Sequence, residues 1–184
     1  MLNTLRRDRS VTTWRVLWVQ EDWSPGKMSS SLRPWVEHLA DQELASGTMV
    51  GDAVLLSPDY RVDPGLSRYS SSLAFRSHPV ETRRNYATDL RLWLEFLWGR
   101  GEGWQQAAAA DLDDFEYWRR WAPQNPIQVG GSKWNRESAA ITGLYRWAKR
   151  EGLVAVSPTE GRRPSGGARD AASSTARPCA PTAP

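Results

Sequence analysis

The sequence predicts a mainly α-helical fold, a helical bundle with an irregular N-terminal arm and a disordered C-terminal tail. Three stretches between residues 79 and 151 repeat apolar residues at helical spacing, and each is followed by a Gly or Pro stop. From residue 159 the chain is rich in Pro, Ala, Ser and Arg, a composition that does not fill a core. We therefore divide the chain into an arm (1–76), a helical domain (77–158) and a tail (159–184).

Length and composition suit one domain. The 184 residues are 40% hydrophobic and include 11 Trp, enough aromatic surface to build a core. The net charge is only +3, so a site for a polyanion has to come from local arrangement. The sole Cys, Cys179, leaves no disulfide within the chain, and no apolar run approaches the roughly 20 residues of a membrane helix. We expect a cytoplasmic protein without cofactor or metal.

The arm carries the weakest signals. Apolar and β-prone residues cluster at 14–19, and 31–45 has the spacing and start signals of a short helix. Gly, Pro and Ser residues between 46 and 79 predict a connecting segment with turns at 57–59 and 63–65. We expect this segment to pack along the helical body.

The first strong helix is predicted from about Pro79 to Trp98. Pro suits the first turn of a helix, and Glu81 complements the helix dipole there. Gly99 and Gly101 are predicted to end the helix. Its buried stripe is predicted to be Tyr86, Leu90, Trp93, Leu94 and Leu97.

Two further helices follow. One is predicted from Asp111, as N-cap, to about Ala122, before Pro123. Its inward residues are predicted to be Leu112, Phe115, Trp118 and Trp121. The last is predicted from Ser132, as cap, to about Glu151, with Gly at position 152 ending it. Its core stripe is predicted to be Trp134, Ile141, Leu144, Tyr145 and Ala148.

The polar face of the last helix is the strongest functional signal. Long basic side chains alternate there with small ones, which would let the helix approach a DNA duplex closely. The residues opposite the core stripe are Asn135, Ala139, Thr142, Arg146, Lys149 and Arg150, with Arg136 and Gly143 beside them. The same spacing also fits an ordinary solvated face, because bases in a last turn complement the helix dipole.

The first helix has a smaller companion face. It consists of Arg84, Thr88 and Arg91, with Thr82 and Arg83 near the N-terminus, where backbone N–H groups suit a phosphate. Two basic helix faces on one small domain predict a clamp on DNA.

Several segments together resemble a known family. The segment 82–97 reads Thr-Arg-Arg-Asn-Tyr-Ala-Thr-Asp-Leu-Arg-Leu-Trp-Leu-Glu-Phe-Leu, and 134–137 reads Trp-Asn-Arg-Glu. Leu-Tyr-Arg-Trp-Ala follows at 144–148, and Gly-Leu-Val at 152–154. In this order they resemble the core-binding domain of tyrosine recombinases, the phage-integrase and Xer-type family, over about residues 77–158. The resemblance implies a SAM-like helical bundle that places helices in the major groove of double-stranded DNA.

The chain departs from this family where catalysis is concerned. The resemblance implies a C-terminal catalytic domain with an Arg, a Lys, a His-x-x-Arg motif and a nucleophilic Tyr. Neither His38 nor His78 is followed by Arg three residues on, and no Tyr follows Tyr145. The composition also changes abruptly from Glu160 onward, as in a shifted frame or a premature end. We therefore expect a truncated recombinase that is not an enzyme by itself.

The leading hypothesis is that the chain binds double-stranded DNA and, in that context, other recombinase subunits. The predicted DNA-binding residues are Thr82, Arg83, Arg84, Arg91, Lys133, Asn135, Arg136, Arg146 and Arg150. Arg136 and Arg146 are predicted to enter the groove, and Arg84 and Arg91 to contact the backbone.

Two alternatives remain open. A SAM-like bundle of nearly neutral charge can instead be a protein-interaction module. That reading predicts an exposed apolar patch among Trp14, Trp18, Trp23 and Trp35. The other alternative is a recombinase subunit completed by a separate catalytic chain.

Overall fold

The computed structural model describes residues 13–20 and 47–161. Their elements are two strands and five helices: β1 Arg15–Trp18, β2 Ala53–Leu56, α1 Pro64–Ser70, α2 Leu73–Arg76, α3 Val80–Arg100, α4 Ala109–Arg120 and α5 Gly131–Arg150. The three helices predicted between 79 and 151 are therefore confirmed, and the described residues are mainly α-helical. The predicted helix at 31–45 and the predicted tail beyond 161 lie outside the described residues.

The ends of α3 differ slightly from the prediction. Pro79 is the N-cap residue of α3 and does not lie in its first turn. Gly99 lies within the helix, whereas Gly101 adopts a left-handed conformation with φ of 78° and ends it. Gly tolerates this conformation because it has no Cβ. The predicted buried stripe is confirmed for Leu90, Trp93, Leu94 and Leu97, while Tyr86 is half-buried.

The N-cap of helix α4 is Ala108, three residues before the predicted cap. Asp111 is not the N-cap; its carboxylate accepts a hydrogen bond from the Ala108 backbone N–H at 2.9 Å. This contact occupies one of the N–H groups that a helix start leaves unpaired. The prediction that Trp121 points inward is wrong, because its side chain is 51% exposed. Arg119 is buried there instead.

The helix α5 carries the most completely buried stripe. All five predicted core residues of this helix are buried. Ser132 makes no side-chain cap; Gly130 precedes the helix as N-cap residue. Gly143, predicted to lie beside the open basic face, packs against α1. A Cβ added to it would lie 2.9 Å from the Tyr69 hydroxyl.

A hydrogen-bonded set of aromatic residues joins α3 to α5. The Trp93 indole N–H donates to the Tyr145 hydroxyl at 3.1 Å, and that hydroxyl donates to the Trp104 carbonyl oxygen at 2.7 Å. The Trp93 ring also packs edge-on against Phe115 of α4, with centroids 5.2 Å apart. Burial raises the pKa of Tyr145 well above its ordinary value, so the hydroxyl stays protonated. The Trp93 indole N–H and the Tyr145 hydroxyl thereby both have hydrogen-bond partners inside the core.

The segment predicted as a connecting arm contains regular structure. β1 and β2 pair antiparallel, from Arg15 opposite Leu56 to Trp18 opposite Ala53. The predicted turn at 57–59 is confirmed by a hydrogen bond between backbone groups of residues 57 and 60 at 2.9 Å. The predicted turn at 63–65 is instead a helix start, where Asp63 caps α1.

The short helices α1 and α2 contribute to the same core as the long ones. Leu66 and Tyr69 of α1 and Phe75 of α2 are each at most 2% exposed. The Tyr69 ring packs against both Phe75 and Trp147 of α5, at centroid distances of 5.3 and 5.4 Å. These residues therefore belong to the helical body and do more than connect to it.

Candidate nucleic-acid interface

The polar face of α5 is strongly basic. The helix contains five Lys or Arg residues and a single acid, Glu137. Glu137 is fully buried, so the open side of the helix carries no carboxylate of its own. The predicted stripe is exposed at Asn135, Ala139, Arg146, Lys149 and Arg150, and half-buried at Thr142. This solvent-exposed surface thus carries long cationic side chains and one small side chain, Ala139.

Arg146 and Arg150 are the most available cations of this stripe. Both are exposed, and neither has a hydrogen-bond or ion-pair partner among the described residues. Lys149 differs, because its ammonium group donates to both carboxylate oxygens of Glu160 at 2.8 and 2.9 Å. An incoming anion would therefore meet two uncompensated guanidinium groups one turn apart.

Near the start of α5, a buried carboxylate holds two further bases. Asp89 of α3 has a fully buried side chain. It accepts a hydrogen bond from Arg136 Nε at 2.9 Å and is also bonded by Lys133 Nζ. The side chains of Lys133 and Arg136 remain 32% and 40% exposed. Asp89 thus holds both cationic groups on their buried side, while their other side is open to solvent.

A second buried ion pair lies beside this one. Arg119 of α4 donates to both carboxylate oxygens of Glu137, at 2.9 and 2.6 Å. The two side chains are 5% and 0% exposed. This paired geometry is the strongest arrangement available to Arg and a carboxylate. Lys133 also approaches Glu137, at 3.3 Å, so the two ion pairs form one network that joins α3, α4 and α5.

The companion face of α3 is electrically balanced. Arg84 pairs with Glu81 at 2.9 Å, and Arg91 pairs with Glu95 at 3.1 Å. The Thr88 hydroxyl donates to the Arg84 carbonyl oxygen at 2.9 Å. Pairs of this kind on a helix surface are worth only about 0.3 to 0.5 kcal/mol, so a phosphate group can replace the carboxylate at little cost.

The two predicted residues at the start of α3 are placed differently from each other. Thr82 is half-buried in the first turn. Arg83 is half-buried and donates from Nη1 to the Gly51 carbonyl oxygen at 3.2 Å. Arg83 therefore ties α3 to the loop before β2. The two predicted faces are not a single surface of unpaired bases, since the uncompensated charge lies on α5.

Sequence reasoning did not predict Asp89, Arg119 or Glu137 as parts of this site. A usable signal existed for Glu137, which lies three residues after Trp134 and four before Ile141, within the core stripe. A charged residue at a core position needs a buried partner. The identity of that partner was not readable from the sequence.

A comparison with protein families finds a match over the helical part of the chain. The family model described as phage integrase, N-terminal SAM-like domain, matches residues 66–152. These residues belong to that family. No curated protein and no solved structure gives a significant match to the chain.

The integrase SAM-like domain thus spans α1 to α5. The matched range begins at Leu66, so it takes in all but the first two residues of α1 and the whole of α2, which both precede residue 77. Every residue of the Asp89 and Glu137 network lies within it. Within residues 13–20 and 47–161, no set of three His, Cys or carboxylate side chains is grouped to hold a metal ion. In the same ranges, no helix has the length and apolar character needed to cross a membrane.

Proposed function

We propose that the integrase SAM-like domain of this chain binds double-stranded DNA through the open side of α5. The observation that carries the proposal is the charge of that helix. It has five basic residues and a single acidic residue, which is fully buried. Phosphate contacts supply most of the affinity of a protein for DNA, and a face without carboxylates suits them.

In this proposal the bases of α5 have two kinds of role. Arg146 and Arg150 approach the phosphate backbone or the groove directly, because no carboxylate competes for them among the described residues. Lys133 and Arg136 are held in place by Asp89, so less side-chain entropy is lost when they contact DNA. Ala139 lies between these two groups along the helix, where a short side chain permits close approach. Asn135 lies between Lys133 and Arg136 in the sequence, and its amide can reach a base edge.

Binding of the full chain to a mixed-sequence duplex, measured across a salt series, tests this function. The dissociation constant should rise steeply with salt, with a log–log slope that corresponds to about four to six neutralised phosphates. Absence of binding at low salt would refute the proposal.

We propose further that these 184 residues bind DNA without cleaving it, in the context of a site-specific tyrosine recombinase. Cleavage in that family uses a His-x-x-Arg motif and a nucleophilic Tyr, and the chain contains neither the motif nor any Tyr after Tyr145. Strand transfer would then need catalytic groups from outside these residues. A nicked-duplex trapping assay should yield no covalent protein–DNA product from this chain alone; a covalent product would overturn this part.

A second candidate function is a protein-interaction module. The patch that this reading predicted does not form around Trp14, which is only 7% exposed, and Trp23 and Trp35 lie outside the described residues. A different observation favours it: Tyr117 and Trp121 of α4 are 54% and 51% exposed, with ring centroids 6.5 Å apart. Exposed Trp and Tyr are common at protein interfaces. Self-association that persists at high salt and is lost in Trp121→Ala would support it.

A further inference from the structure

A cleft of about 470 Å³ lies at the C-terminal end of α3, and none of its lining residues belongs to α5. It opens between the C-terminal turn of α3, the following loop at 101–105 and the segment 57–64. Three Trp residues line it: Trp14, Trp98 and Trp104. The Trp14 and Trp98 rings meet edge-on, with centroids 6.2 Å apart. The proposed DNA contacts leave this cleft without a role.

The charge around the cleft favours a cation. Asp59, Asp63 and Glu102 line it, against a single base, Arg61. Arg61 is 84% exposed on its side chain and lies 3.4 Å from Asp59, so it is a weak surface pair that a second cation can displace. The last turn of α3 also borders the cleft, and the C-terminal end of a helix carries partial negative charge.

The aromatic lining favours a planar cation in particular. A guanidinium group stacks on Trp rings and donates hydrogen bonds to carboxylates from the same plane. Asp63 already accepts a hydrogen bond from the Trp104 indole N–H at 3.0 Å, so carboxylate and aromatic ring are held side by side. This combination matches a guanidinium better than a compact ammonium ion.

One polar atom of the lining lacks a partner. Trp14 is 7% exposed, and its indole N–H is buried without an acceptor among the described residues. An unpaired buried donor costs about 1 to 3 kcal/mol. The Trp14 nitrogen has almost no solvent-accessible surface, so a ligand that brings a carbonyl oxygen gains by accepting from it once the Trp14 ring turns toward the cleft. A free guanidinium ion has no such oxygen, whereas an arginine residue within a polypeptide has one.

We propose that this cleft binds an arginine residue of a polypeptide. The guanidinium group lies among the Trp rings and the carboxylates of Asp59 and Glu102, and a backbone carbonyl of the same peptide accepts from the Trp14 indole N–H. The site shares no lining residue with α5, so the proposal does not depend on DNA binding.

Three small probes test the site in the full chain labelled with ¹⁵N-tryptophan. They are N-acetyl-argininamide, N-acetyl-citrullinamide, which has the same shape without the charge, and methylguanidinium, which has the charge without a carbonyl. The indole N–H signal of Trp14, assigned with Trp14→Phe, should shift with the arginine probe and much less with the citrulline probe. Equal shifts with these two probes, or no shift with any probe, would overturn the proposal. Binding of methylguanidinium as tight as that of the arginine probe would overturn the peptide part.

A charge variant and its matched control locate the site. Glu102→Gln removes one carboxylate from the lining at an exposed position and should weaken arginine binding about two- to five-fold. Glu81→Gln removes the same charge at the opposite end of the 21-residue α3, about 30 Å away, and should leave binding unchanged. Equal effects of the two variants would show attraction by overall charge and contradict a defined site.

Discussion

Arg136 and Asp89 lie 47 residues apart in the chain, yet Arg136 Nε donates to Asp89 Oδ2 at 2.9 Å. Lys133 bonds the same fully buried carboxylate. The contact joins α3 to the first turns of α5 and fixes two of the predicted DNA-binding side chains. One buried acid thus links the stability of the domain to the position of its basic groups.

Asp89→Asn should destabilise the domain. The carboxylate is fully buried, while Lys133 and Arg136 are partly exposed and can recover some hydration after its loss. We therefore expect a loss of about 1.5 to 3 kcal/mol in the free energy of unfolding, the range for hydrogen bonds to charged groups. Urea unfolding measures it. Asp114→Asn, which breaks the more exposed pair with Arg100, is the control and should change stability by about 0.5 kcal/mol or less.

The Arg119 and Glu137 pair should show strong non-additivity. Glu137→Leu leaves the Arg119 charge buried without its partner and should cost about 3 to 5 kcal/mol in the free energy of unfolding. Adding Arg119→Met removes that charge and should recover much of the loss, because apolar side chains of similar volume fill the same space. Urea unfolding of both single variants and the double variant checks this. Additive losses would mean that the two side chains act independently.

Acid should weaken the ion pair between Asp52, which directly precedes β2, and Arg76 of α2. Asp52 is 2% exposed and accepts hydrogen bonds from Arg76 Nε at 2.9 Å and the Met49 N–H at 2.8 Å. Burial alone raises the pKa of Asp52. The hydrogen bonds from Arg76, Met49 and Ser71 together with the charge of Arg76 outweigh burial, so the pKa falls below its ordinary 3.8. A lowered folded-state pKa gives stability that is present above the unfolded value and lost as pH falls through the folded value.

The variant Asp52→Asn isolates this contribution. Between neutral pH and acid below about pH 3.8, the urea midpoint should fall less for Asp52→Asn than for the wild-type chain, because Asn does not titrate. Asp52→Asn should also start from a lower midpoint at neutral pH. Parallel pH curves for variant and wild type would show that Asp52 contributes nothing to acid sensitivity.

DNA binding should depend on the two uncompensated guanidinium groups. The double variant Arg146→Gln, Arg150→Gln should reduce the log–log salt slope by about two and weaken binding to all sequences alike if both contact phosphates. Arg100→Gln is the matched control, since Arg100 pairs with Asp111 and Asp114 on an acidic surface. An unchanged slope in the double variant would remove α5 from the interface.

Local patterns predicted the long helices well. The spacing of Leu90, Trp93, Leu94 and Leu97 identified the buried face of α3 because that pattern repeats within one helix. The same reasoning placed Trp121 in the core, although only the turn after α4 decides where that side chain points. Boundaries shifted by one to three residues, as at Asp111, because a carboxylate can cap a helix from within its first turn.

By itself, the sequence determined that helices form at these positions, which face of each is apolar, and that α5 is the basic helix, since all three depend on neighbours along the chain. Only the tertiary structure decided which charges remain available. It paired Lys133 and Arg136 with Asp89 and left Arg146 and Arg150 exposed. It also formed α1 and α2 in the segment that the sequence predicts to be a connection. Contacts between residues more than forty positions apart are set by packing, and packing leaves no spacing in the sequence from which to read them.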